Sequence, residues 1–232
     1  MKWWAAVLLV ACVAGCGVNP IPEPPLTPEL VGDVVGVGCA ACDRETIELA
    51  GGPGSVRNAD VVWAVNLDGT APPEVADVGV DGSFVLSLDA FFGDEVRLQA
   101  RRGEIRSEPA DRIVVEGVLE SAPRPLADCF VVEPELALAD TAVGEVSTGA
   151  LRIEHGCAAP LSIDAITLRA PSADFSLQGG TAPVVLAPGE PMDLRVELRP
   201  SASGVREEVL LIEVSSPAAA RRAVTLFGRG VP

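Results

Sequence analysis

LAPGEPMDLRVELRP, residues 186–200, is a turn running into a strand. Pro188-Gly189 marks the turn. Met192, Leu194, Val196 and Leu198 then alternate with Asp193, Arg195, Glu197 and Arg199. That period of two predicts one face against a core and the other toward water. Pro200 closes the strand, because proline has no N–H to donate to a ladder. The same alternation spreads outward. Leu136, Leu138, Val143 and Val146 open the run, Leu151 and Ile153 alternate with Arg152 and Glu154, and Leu161-Ser162-Ile163 leads to Ile166 and Leu168. Asp174-Phe175-Ser176-Leu177 follows, and two further strands are predicted over 209–214 and 223–227. Many short strands at close spacing make a β-sandwich.

The upstream half reads alike. Val61, Trp63, Val65 and Leu67 share a face, with Trp63 expected in the core. Phe84, Leu86 and Leu88 alternate with Val85, Ser87 and Asp89, and Val96, Leu98 and Ala100 with Arg97, Gln99 and Arg101. Polar partners at every second position predict half-buried antiparallel strands. Asp81-Gly82-Ser83, just before Phe84, reads as a hairpin turn. No long segment carries a helical stripe. Residues 117–128, with Pro123 and Pro125 and no apolar period, read as a linker between domains at 31–116 and 129–232.

The 232 residues carry 33 Asp+Glu against 17 Lys+Arg, a formal charge of −16. Residues 16–122 hold −12 of it and residues 123–232 hold −5. Such a chain is not built to neutralise nucleic-acid phosphates or to dock on anionic lipid through a basic face. The hydrophobic content of 48% is enough to bury a core. A single histidine excludes multi-His metal sites and makes most acid–base mechanisms awkward.

Residues 1–16, MKWWAAVLLVACVAGC, begin with Lys2 and an apolar stretch from Trp3 to Val13. A membrane span needs about 20 apolar residues, so this is a secretory signal. The run Val13-Ala14-Gly15-Cys16 resembles the bacterial lipobox. The resemblance implies cleavage after residue 15 and lipidation of Cys16, with palmitate among its acyl chains. Chains that each add roughly 0.8 kcal/mol per buried CH₂ make a firm anchor without a spanning helix. Gly17 in place of Asp favours the outer membrane. Residues 16–30 then form a tether, with five prolines between Pro20 and Pro28 that favour an extended polyproline-like spacer.

In the second half, "APLSI", "DFSL", "LAPGE" running into a strand that ends at Arg199-Pro200, Gly204 and the closing "VTLFGRG" come in an order that resembles the choice-of-anchor D domains, relatives of Hydin-type Ig-like modules. That resemblance spans Cys129 to Gly230. It implies a seven-stranded Ig-like sandwich that serves as a spacer or protein-binding unit and has no common catalytic residues. In the first half, Val80-Asp81-Gly82-Ser83-Phe84-Val85-Leu86 followed by Gly93-Asp94-Glu95-Val96-Arg97-Leu98 resembles the end of a bacterial Ig-like or carboxypeptidase-regulatory-like domain. The fold expected is all-β: two Ig-like antiparallel β-sandwich domains after a cleaved signal and a proline-rich tether.

Of six cysteines, Cys12 leaves with the signal and Cys16 takes lipid. The remaining four allow three connectivities in an oxidising compartment. Cys129–Cys157 and Cys39–Cys42 are favoured, because each bridge then stays inside one domain. Cys39-Ala40-Ala41-Cys42 also has thiol-oxidoreductase spacing, but its flanks lack the strand–helix context such a thiolate needs. His155 reads as an exposed strand-end residue, and no G-x-S-x-G elbow accompanies it. Neither acidic turn, at 66–69 or at 77–82, completes a calcium loop; for the second, Leu88 stands where the closing Glu belongs. The expectation is a non-enzymatic, cofactor-free and metal-free protein of the cell envelope. It would be held in the membrane by Cys16, would bind or support an envelope protein partner, and would not touch nucleic acid. The alternative is an extracytoplasmic carrier of a small ligand or surface polysaccharide.

Overall fold

The computed structural model describes residues 26–31, 34–37, 46–180 and 182–232. Val13, Ala14, Gly15, Cys16, Cys39 and Cys42 lie outside the described residues. Within them the chain is all-β with no helix, and strands pair antiparallel almost throughout.

The first half is a sandwich. Val34–Val37, Ile47–Gly51 and Phe84–Leu88 make a three-stranded sheet. It faces a larger sheet in which Glu95–Arg102 pairs with Val61–Asn66 on one side and Ala110–Val115 on the other. Ile47, Leu49, Phe84, Leu86 and Leu88 pack against Val62, Ala64, Val96, Leu98 and Ala100 between them. Two expectations are corrected here. Val118–Ser121 is a strand paired with Ala110–Val115, so regular structure runs into the segment read as a linker. The turn at 79–83 joins strands of facing sheets rather than a paired hairpin. Asp81 shapes it by accepting from the Ser83 hydroxyl (2.7 Å) and backbone N–H (3.1 Å), which hold its carboxyl below the usual range. Gly82 is required at φ 82°, where a Cβ would strike the Val56 carbonyl.

The second half sets a four-stranded sheet (Phe130–Val132, Ser147–His155, Met192–Leu198, Phe175–Gln178) against a six-stranded one. The strand count exceeds the seven expected. The final hairpin, Gly204–Ser216 with Ala220–Val231, runs well beyond the 209–214 and 223–227 predicted. Two short strands, Glu135–Ala137 and Thr141–Ala142, run parallel to Ala220–Val231. Leu151, Ile153, Leu194, Val196 and Leu198 meet Leu161, Ile163, Leu210, Ile212 and Leu226 in the core. The strand read first behaves as its pattern demands, with Leu194, Val196 and Leu198 buried and Asp193 and Arg195 exposed. Cys129 and Cys157 form a disulfide with an S–S distance of 1.97 Å across 28 residues of chain. Closing a loop of that size is worth about 3.5 kcal/mol on chain-entropy grounds.

The two sandwiches stack. A third apolar cluster joins Trp63, Val65 and Leu67, on the outer face of the first half's large sheet, to Val209, Leu211 and Ala223 on the outer face of the second half's. The four sheets therefore lie in layers, with central strands of two sheets back to back across a seam.

Candidate functional site

The seam holds the largest of the buried polar side chains, and it overturns one reading of the sequence. Arg97, Gln99 and Arg101 were expected to face water opposite Val96, Leu98 and Ala100. All three are buried instead, because the second half covers that face. Arg97 is 1% exposed. Its Nε and Nη2 donate to the two oxygens of Asp111 at 2.7 and 3.0 Å. The remaining N–H groups reach the second half: Nη1 donates to Thr225 Oγ1 (3.1 Å) and the Pro134 carbonyl (3.2 Å), and Nη2 to the Ala223 carbonyl (2.6 Å). Gln99 Nε2 donates to the Ser107 carbonyl at 2.8 Å and Glu135 Oε1 at 2.6 Å. Arg101 Nη1 donates to both oxygens of Glu207, at 2.8 and 2.9 Å, and its guanidinium lies 4.4 Å from the Trp63 ring centroid. Arg106 shares Glu207 at 2.7 Å and stacks 4.0 Å over Phe227. Trp63 is 2% exposed, as a core residue would be, but it sits in the seam rather than between the sheets of one sandwich.

The seam's ends are clamped by the second half's arginines. Arg169 Nη1 donates to the carbonyls of Gly69 (2.8 Å) and Ala71 (2.9 Å), and its Nε lies 3.6 Å from Glu208 Oε1. Burial pushes the Glu208 carboxyl up, while the Val209 N–H and the Arg169 charge hold it down. Arg221 bridges Asp68 (2.7 Å) and Glu95 (3.3 Å). Burial, then the Asp111 charge, push the Glu95 carboxyl up against that pairing. The acidic turn at 66–69 thus spends its charge on a cation of the other half. Arg229 pairs with Glu104 at a further point. Among the described residues no group of three or more His, Cys, Asp and Glu gathers as metal ligands would.

His155 also departs from expectation. It is 3% exposed, not a surface residue, and among the described residues neither ring nitrogen has a hydrogen-bond partner. Strict alternation explains why: Leu151 and Ile153 point inward, so His155 two further on does too. An unsatisfied buried polar group costs about 1–3 kcal/mol. His155→Leu, nearly isosteric and apolar, is therefore expected to raise stability by about 1 kcal/mol, read from the thermal midpoint. A loss would assign the imidazole a partner.

A groove of about 500 Å³ lies where residues 27–30 cross the sheet, lined by Thr27, Glu29, Leu30, Glu108, Pro109 and Arg112 among others. It contains no aromatic ring of the kind that stacks on sugars. Among the described residues no helix is long and apolar enough to cross a membrane.

No family model matches this chain. No curated protein matches it either. Among solved structures it is similar to the ASH / PapD-like domain 7 of human CEP192, at 13% identity and TM-score 0.39, over 51% of this chain and 96% of that one. It is similar to the Vibrio cholerae VesB protease at 11% identity and TM-score 0.39, over 73% of this chain and 61% of that one. A protein of unknown function from Porphyromonas gingivalis W83 is similar at 14% identity and TM-score 0.38, over 89% and 100%. At these scores none of the three bears on what the chain does.

Proposed function

We propose that this chain is a lipid-anchored protein of a bacterial envelope that acts as a non-catalytic binding or structural module. The observation that carries the reading is the Cys129–Cys157 bridge, since stable disulfides belong to oxidising compartments. The export signal and Val13-Ala14-Gly15-Cys16 support the same address. Two sandwiches locked through a buried ionic seam suit a rigid spacer that presents surfaces.

Metabolic labelling with an alkyne palmitate tests the anchor. The wild type is expected to carry label in the membrane fraction, and Cys16→Ser to lose both the label and the membrane association. An unlabelled wild type would overturn the anchor.

A further inference from the structure

We propose that Phe91 and Phe92 are the anchoring point for a cationic, apolar segment of a partner protein. The inference rests on the reading of a binding module and gives that partner its chemistry. Phe91 is 54% exposed and Phe92 60%. Trp63, Phe84, Phe130 and Phe175 are all buried, and Phe227 is half-buried beneath Arg106. Among the described residues, then, the chain spends its aromatics inside except at this one turn. Leaving a phenyl ring in water forgoes the stabilisation that its burial would bring.

The turn is held still. Asp94 Oδ2 accepts from the Phe91 N–H (2.9 Å) and from Asn66 Nδ2 (2.8 Å), and the Asp94 N–H returns to the Phe91 carbonyl (3.1 Å). Gly93, at φ 96°, donates to the Val114 carbonyl at 2.8 Å. A backbone fixed in this way presents its rings with little ordering left to lose on binding. Val118, on the hairpin that follows Val114, adds exposed apolar surface.

Charge selects the partner. Asp89, two residues before Phe91, and Glu116, two residues beyond the Val114 that bonds to Gly93 and Asp94, are exposed. Among the described residues, Arg221 lies on the neighbouring Glu95 and is already engaged by it and by Asp68. Exposed rings inside an acidic rim complement apolar anchors flanked by Lys or Arg, which also stack on ring faces. The same rim opposes an anionic lipid surface. Geometry agrees with that. The Leu26 carbonyl, within the segment read as the tether, is held by Arg102 at one end of the Glu95–Arg102 strand. The phenylalanines lead into the other end, roughly 25 Å away for eight residues of strand.

The test pans short random peptides on phage against the full chain purified in detergent. It compares the wild type with Phe91→Ser/Phe92→Ser and with Asp89→Asn/Glu116→Gln, after circular dichroism has shown all three equally folded. Enriched peptides should pair Lys or Arg with Leu, Phe or Trp. They should bind the double Phe variant at least roughly ten-fold more weakly, as loss of central anchors does. They should also weaken with salt and with the charge-removed variant. Peptides that bind the Phe variant equally would sink this inference and leave the binding module standing on another surface. No enriched peptide at all would sink both. Wild-type binding to phosphatidylglycerol vesicles, or self-association, lost in the Phe variant would assign the turn to lipid or to a second copy and overturn the proposal.

Discussion

Arg97→Met is expected to destabilise the protein by about 3–5 kcal/mol, read as a shift in the urea unfolding midpoint at unchanged slope. The size follows from what the substitution leaves behind. A guanidinium has five N–H donors, and all five are used here, on Asp111, Thr225, Pro134 and Ala223. Methionine fills much of the volume but strands the Asp111 carboxylate, only 9% exposed, and takes away the donors to Thr225 Oγ1 and the Ala223 carbonyl of the other half, while the Pro134 carbonyl keeps the Thr225 N–H. Arg124 lies 3.4 Å from Asp111, but it is 57% exposed and holds it weakly. Removing both charges, Arg97→Met with Asp111→Leu, should recover part of the loss, because no buried ion is then left alone. Arg97→Lys should not rescue, since three donors on a point charge cannot reproduce a fork. A single-variant loss under about 1 kcal/mol would mean that this ion pair does not hold the seam.

The inner faces of these sandwiches were legible because a period of two is local information. Leu194, Val196 and Leu198 show their burial within seven residues of chain. His155 was legible too, had the count from Leu151 and Ile153 been continued one step past Glu154. The seam was harder. Arg97, Gln99 and Arg101 alternate with apolar residues as a solvated face would, and a strand pattern does not distinguish water from a polar protein surface. Their partners Thr225, Glu135 and Glu207 lie 128, 36 and 106 residues away, so nothing nearby marks them. A usable signal stood in the neighbouring strand of the same sheet. Val61–Asn66 reads VVWAVN, apolar on both faces, and a strand of that kind is covered on both sides. The Phe91 and Phe92 turn was invisible for a different reason. Exposure of an aromatic pair is decided by what fails to pack on it, which only the fold reveals.

Trp63→Ala is expected to cost about 3–5 kcal/mol and to change the form of unfolding as well as its midpoint. Each half has its own core, so each keeps a reason to stay folded without the other. What couples them is the seam, and Trp63 is the largest side chain in its apolar cluster. Its loss opens a cavity against Val209 and Leu211. It also uncovers Arg101, whose guanidinium rests on the indole and whose Nη2 already lacks a partner. Calorimetry should show one endotherm for the wild type and two for Trp63→Ala. The lower one should belong to the first half, because the second has the larger core and the Cys129–Cys157 bridge. Indole fluorescence of the wild type should move in step with its single transition, since Trp63 reports the seam directly. Two endotherms in the wild type, or one barely shifted endotherm in the variant, would show that the sandwiches fold without reference to each other. Arg97, Gln99 and Arg101 would then be buried at a cost that the contact between the halves does not return.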